Sequence, residues 1–163
     1  MPIVSSLVRA ALFVSDLERS EFFYKSVLGI DESFAENGTQ NKEFAELLGV
    51  TATSYIRYSI LKIPGPARGM IGLFQVTEPQ IPSVEKDILS SNVGEVALVF
   101  YTDNILALKQ KLDDYDLQFI CPPTILSVRK EMRNFEMTFR DPDGVMINII
   151  EKDLFPLREK LKN

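Results

Sequence analysis

The chain has 163 residues, 45% of them hydrophobic and 25% charged, with a formal net charge of −5. That supplies a packed interior for one domain or two small modules. The acidic balance without a basic stripe argues against nucleic acid, the short apolar runs argue against a membrane span, and the absence of histidine excludes imidazole metal ligands, Ser-His-Asp triads and histidine general bases.

The N-terminal stretch is broken by Arg9 and Asp16 and does not read as a signal peptide. Residues 7–14 read as a strand. Ser15 and Glu18 have the spacing of a capping box, and Leu17, Ser20, Tyr24, Val27 and Leu28 recur at helical spacing before Gly29 stops the helix. Residues 30–35 read as a short strand closed by Asn37-Gly38, a turn signal. Residues 41–48 form an extra helix, and 55–63 and 70–77 two further strands, parted by Pro64-Gly65-Pro66. Residues 78–92, with Pro79 and Pro82, read as a linker. Residues 94–101 begin another strand, and Asp103 can cap a helix with Ile105, Leu108, Leu112 and Tyr115 on one face. Residues 117–120, 134–140 and 145–151 supply three more strands, the last two joined by Asp141-Pro142-Asp143-Gly144. Residues 155–162 read as a C-terminal helix. Cys121 is the single cysteine, so no internal disulfide forms, and a cytoplasmic location is expected.

The pattern strand, helix, three strands occurs twice. Arg9-Ala10-Ala11-Leu12-Phe13-Val14 aligns with Glu95-Val96-Ala97-Leu98-Val99-Phe100, and Met70-Ile71-Gly72-Leu73-Phe74 with Met146-Ile147-Asn148-Ile149-Ile150. The expected fold is α+β: two βαβββ modules forming a cupped mixed-sheet cleft with helices outside. The modules would span 1–78 (with an inserted helix at about 40–49) and 93–152, with a linker at 79–92 and a terminal helix at 153–163. Strand alternation puts Arg9, Phe13, Gly72, Phe74, Glu95, Asn148 and Ile150 on the cleft face.

The segments ALFVSDLERSEFFYKSVLGI, GMIGLFQVTEP, GEVALVFYTDNILALKQKL and FRDPDGVMINIIE together resemble the vicinal oxygen chelate superfamily, over roughly residues 7–151. That group includes glyoxalase I, extradiol dioxygenases, methylmalonyl-CoA epimerase, and fosfomycin and bleomycin resistance proteins. The resemblance implies four metal-ligand positions, one on each of the first, fourth, fifth and eighth strands. Here they hold Arg9, Gly72, Glu95 and Asn148. A guanidinium cannot ligate a cation, glycine has no side chain, and only Glu95 is an ordinary ligand. The expectation is therefore no metal and no cofactor. The resemblance also implies that Arg9 and Glu95 face each other as an ion pair on the cleft floor.

Two functional readings follow. In the first, the protein is a metal-independent, resistance or sequestration type of binding protein. It holds a small, partly apolar, anionic or aromatic organic molecule through Arg9, Phe13, Arg57, Phe74, Glu95, Asn148 and Ile150. In the second it is a metal-independent lyase, isomerase or cyclase, with Glu95 as general base and Arg9 stabilising an oxyanion. An arginine beside Glu95 weakens that base, which favours binding. A metal-dependent glyoxalase or dioxygenase ranks third. Neither nucleic acid nor membrane is expected as a partner, and a module-exchanged homodimer stays open beside a monomer. Tyr55, Tyr58 and Glu136 read first as surface positions, the run Arg129, Lys130, Glu131 and Arg133 as a solvated loop, and Cys121 as a thiol without an activating partner.

Overall fold

In the computed structural model, which describes residues 3–129 and 132–152, the chain divides into two compact units, Met1–Val84 and Glu85–Asn163. The first contains β1 (Arg9–Phe13), α1 (Leu17–Phe22), β2 (Glu32–Thr39), α2 (Lys42–Leu48), β3 (Tyr55–Lys62) and β4 (Met70–Glu78). The second contains β5 (Ala97–Thr102), α3 (Ile105–Asp113), β6 (Phe119–Arg129), β7 (Met132–Arg140) and β8 (Met146–Lys152). Each builds a four-stranded mixed sheet, in the orders β1-β4-β3-β2 and β5-β8-β7-β6. In each, the outer first strand runs parallel to the last, and the remaining pairs are antiparallel. The duplicated α+β pattern is thus present.

Residues paired across neighbouring strands share a sheet face. In the first sheet Ser59, Leu61 and Leu73 lie on one face, Ile56, Tyr58, Gly72 and Phe74 on the other. α1 covers the Ser59 face: Ser59 Oγ donates to Glu21 Oε1 at 2.5 Å, and Arg57 pairs with Glu18. Asp16, in extended conformation, caps α1 by accepting the Arg19 N–H at 2.9 Å. The expected cap, Ser15, accepts the Arg19 side chain instead, because its oxygen lies one residue too early for the first-turn amides. The helix continues as a π-turn, Phe23–Val27, where the Leu28 N–H reaches Phe23 O at 3.1 Å, and Phe23 and Tyr24 are buried.

α2 covers the opposite face. Asn41 Oδ1 accepts the Phe44 N–H at 2.7 Å, and Gly49 ends the helix at φ 72°, where L side chains are strained. Ala45, fully buried, packs on Ile56, Phe74 and Val76, with Phe44, Leu48, Val50 and Tyr58 around them. The inserted helix predicted at 41–48 therefore exists, and it sits on the face that the alternation assigned to the cleft.

In the second sheet α3 covers the face of Met137, Phe139, Ile147 and Ile149, all at most 2% exposed. The Ile105 N–H donates to Glu151 Oε2 at 2.5 Å, and Lys109 lies over the Phe119 ring, which itself contacts Phe139. The cap is Asn104, accepting the Ala107 N–H at 2.9 Å, rather than Asp103. Among the described residues of the second unit no other helix is present to cover the opposite face.

Three further expectations are corrected. Asn37 and Gly38 are not a turn: they pair with Tyr58 and Arg57 inside β2, and Gly38 does not take positive φ. β6 is longer than 117–120 and passes through Pro122 and Pro123. The pairing shifts between Cys121 and Thr124, as expected where proline supplies no N–H, and β6 is an edge strand, where proline is tolerated. The repeat alignment also moves. Arg9 pairs with Met70, and the residue paired with Met146 is Ala97, so Ala97 rather than Glu95 is the counterpart of Arg9. The Asp-Pro-Asp-Gly turn is as expected: Asp141 Oδ1 accepts the N–H groups of Asp143 (2.9 Å) and Val145 (2.7 Å), and Gly144 sits at φ 80°. The helix expected at 155–162 lies outside the described residues, as do Lys130 and Glu131 of the charge run.

Candidate functional site

On the first sheet Arg9, Ala11 and Phe13 lie on one face of β1, beside Met70, Gly72 and Phe74 of β4. The Arg9 guanidinium carbon is 5.6 Å from the centroid of the Phe74 ring, a cation–π distance. Gly72 makes this possible. A Cβ at position 72 would lie 2.7 Å from Arg9 Cδ and 2.9 Å from Phe74 Cε2. The missing side chain is the channel through which the arginine stem runs. Among the described residues Arg9 makes no hydrogen bond or ion pair, so its donors are available to an anion.

Phe13 is 40% exposed and its ring centroid lies 6.1 Å from that of Phe74. Phe74 itself is 1% exposed, packed against Phe44, Tyr58 and Ala45. The expected cleft wall is thus a core residue that supports Arg9 from beneath. Arg57 belongs to the other face. It pairs with Glu18 and donates to Gln75 Oε1 at 3.3 Å, so its guanidinium serves α1 rather than the surface that holds Arg9.

Glu95 precedes β5 instead of standing in it. Its carboxylate is gripped in bidentate fashion by Arg140, whose side chain is 2% exposed: Nη1 meets Oε1, and Nη2 donates to Oε2 at 3.2 Å. The rest of the Arg140 guanidinium donates to Ile88 O and Ser90 O at 2.8 Å, Gly144 O at 2.8 Å and Asp87 O at 3.2 Å. Asn92 adds its backbone and side-chain N–H groups to Oε2, both at 3.2 Å. The Arg140 hydrogen bond, helped by those of Asn92 and outweighing burial, draws the Glu95 carboxyl from 4.5 down to about 2. The ion pair expected with Arg9 is superseded by this one, made wholly within the second unit. Arg140 was missed from sequence because a charged residue next to a turn reads as surface; its burial comes from residues 87–95 folding over it.

The open face of the second sheet carries a polar cluster. Asn148 Nδ2 donates to Thr138 Oγ1 at 3.1 Å and, at 3.4 Å each, to Glu136 Oε2 and Met137 O. Asn134 Nδ2 donates to Glu136 Oε1 at 3.0 Å. Cys121 Sγ and Thr124 Oγ1 lie 3.5 Å apart on the adjoining strand. Val99 and Tyr101 are exposed at 57% and 66%, with Ile150 half-buried between Tyr101 and Glu136 in the ladder. Glu136 thus joins Asn148 and Ile150, the expected residues of this face, in one cluster.

The four positions implied for a metal do not form a donor set for a divalent ion. Arg9 repels a cation, Gly72 has no donor, Glu95 is consumed by Arg140, and Asn148 directs its amide nitrogen to its neighbours. Ala97, the structural counterpart of Arg9, cannot ligate either. Among the described residues no three His, Cys, Asp or Glu side chains cluster for a metal.

Known structures share this architecture. A glyoxalase family protein from Bacillus cereus superposes with a TM-score of 0.73 at 12% identity, covering 93% of this chain and 96% of that one. The trypanothione-dependent glyoxalase I of Leishmania major gives 0.61 at 16% identity, covering 98% and 94%. The antibiotic-binding protein TnmS3 from Streptomyces sp. CB03234 gives 0.56 at 18% identity, covering 94% and 100%. No curated protein matches. The family model for the Glyoxalase/Bleomycin resistance protein/Dioxygenase superfamily matches residues 6–149, and with the duplicated sheets this establishes that the chain belongs to that superfamily.

Proposed function

We propose that this protein binds a small, partly apolar organic molecule without a metal ion, in the manner of a sequestering protein rather than a metalloenzyme. The observation that carries this reading is the fate of Glu95. The one carboxylate among the four implied ligand positions is locked to Arg140, and a carboxyl held at about 2 is a poor general base near neutral pH. The exposed surface beside Arg9 and Phe13 and the uncovered face of the second sheet offer instead what a small-molecule site needs, apolar area with a few fixed polar groups. Arg9 over Phe74, beside exposed Phe13, is an anchor for an anionic or aromatic group. That TnmS3, of the same fold, binds an antibiotic lends the reading support.

The test has two parts. Elemental analysis of the purified protein is expected to show no stoichiometric Zn, Ni, Fe or Mn; a full equivalent of any of them overturns the metal-independent reading. A thermal-shift screen of planar aromatic carboxylates is expected to give stabilising hits that weaken about tenfold in Arg9→Met, the loss of one charged anchor.

A further inference from the structure

The reading of the protein as a small-molecule binder leaves the chemistry of the second sheet unassigned, and the inference here rests on that reading. Across this sheet the ladder places Tyr101, Ile150, Glu136 and Thr124 in one row, and Val99, Asn148, Thr138 and Cys121 in the next. The row beyond Glu136 holds Asn134, Leu126 and the strand-end Lys152.

We propose that Glu136, with Asn148, Asn134 and Thr138, forms a recognition site for a protonated amine carried on an apolar body. Three observations point to it. First, the amide nitrogens beside the carboxylate direct N–H groups to it and to its neighbours. Asn134 Nδ2 goes to Glu136 Oε1 at 3.0 Å, and Asn148 Nδ2 goes chiefly to Thr138 Oγ1 at 3.1 Å. Second, what remains is acceptor capacity. Each carboxylate oxygen can accept more than one hydrogen bond, and among the described residues Oε2 receives only a long contact of 3.4 Å from Asn148. The side-chain carbonyls of Asn134 and Asn148 add two further acceptors. A group that is all donor, such as an ammonium with three N–H bonds, complements such a surface; a carboxylate or phosphate does not. Third, the surroundings suit an apolar body. Val99 and Tyr101 expose more than half their surface, and Ile150 separates the Tyr101 ring from Glu136 along the row. The Tyr101 ring, one strand beyond Ile150, thus extends the apolar area on which the body of the ligand lies while its ammonium sits at Glu136.

The experiment compares three probes on one naphthalene ring with the intact chain: 1-naphthylmethylamine, 1-naphthalenemethanol and the anion 1-naphthoate, titrated at low ionic strength by calorimetry and by methyl NMR. Wild-type protein is expected to bind the ammonium about tenfold more tightly than the alcohol, with shifts at the Ile150 and Val99 methyls. Glu136→Gln, which keeps shape and removes charge, is expected to bring the two within about twofold while leaving alcohol affinity unchanged. The wild-type methyl shifts stand as evidence even where the variant folds poorly. An ammonium preference that survives in Glu136→Gln overturns the assignment, as does ammonium binding that shifts methyls elsewhere. Alcohol binding with no ammonium preference overturns this site alone. Failure of all three probes to bind overturns the small-molecule reading together with it.

Discussion

Arg140 directs its N–H groups to Glu95 and to the carbonyls of Asp87, Ile88, Ser90 and Gly144, and so ties the segment before β5 to the β7–β8 turn. Methionine at this position fills much of the volume but leaves the carboxylate and several carbonyls without donors. Breaking a buried pair from one side costs about 3–5 kcal/mol, and urea unfolding of Arg140→Met is expected to show a loss of that order. The same pair sets an acid dependence. The Glu95 pKa is depressed from 4.5 to about 2, so its contribution is complete above 4.5 and is lost as pH falls through about 2. Urea midpoints are expected to decline across that window, and to decline less steeply in Glu95→Gln. Sequence reading placed Glu95 in a site because its strand parity is right; it could not foresee Arg140, whose burial depends on a loop folding over it.

At the scale of elements, α2 gives the two units unequal faces. A seven-residue helix is marginal alone, and its stability comes from the Asn41 cap, the Gly49 stop and the packing of Ala45, Phe44 and Leu48 on the sheet. Asn41→Ala is expected to cost about 1 kcal/mol. Hydrogen exchange should accelerate in 42–48 while β3 and β4 stay protected; uniform acceleration across the first unit would show that α2 does not open by itself. That this segment is an inserted helix was legible in the sequence, where it has no counterpart in the second copy. Which face it covers was not, since spacing marks a buried stripe but not what the stripe meets. The strands behaved similarly. Alternation put Arg9 with Phe13, and Asn148 with Ile150, on one face of their own strands, as the ladders do, but a shift of two residues keeps parity, so it could not choose between Glu95 and Ala97 as the counterpart of Arg9.

For the molecule as a whole, the duplicated architecture was readable because two matched runs of strand, helix and turn signals repeat along the chain, and the family match spans residues 6–149. The site was readable only in part, because its polar groups are organised by contacts between strands: Glu136 looks like any surface residue until Asn134 and Asn148 are found beside it. The interlock of Gly72 with Arg9 bears on how such a chain can change. A carboxylate introduced at position 72 would collide with the arginine stem before it met any ion. Gly72→Glu alone is therefore expected to destabilise the fold and bind no zinc, whereas combining it with Arg9→His removes the closer collision and leaves only the Phe74 ring edge to shift, so urea unfolding is expected to show the smaller loss in the double variant and zinc calorimetry compares the two proteins. A side chain at position 72 is thus gated: one substitution must come first, and until it does the other is barred, a ratchet made of a missing methyl group.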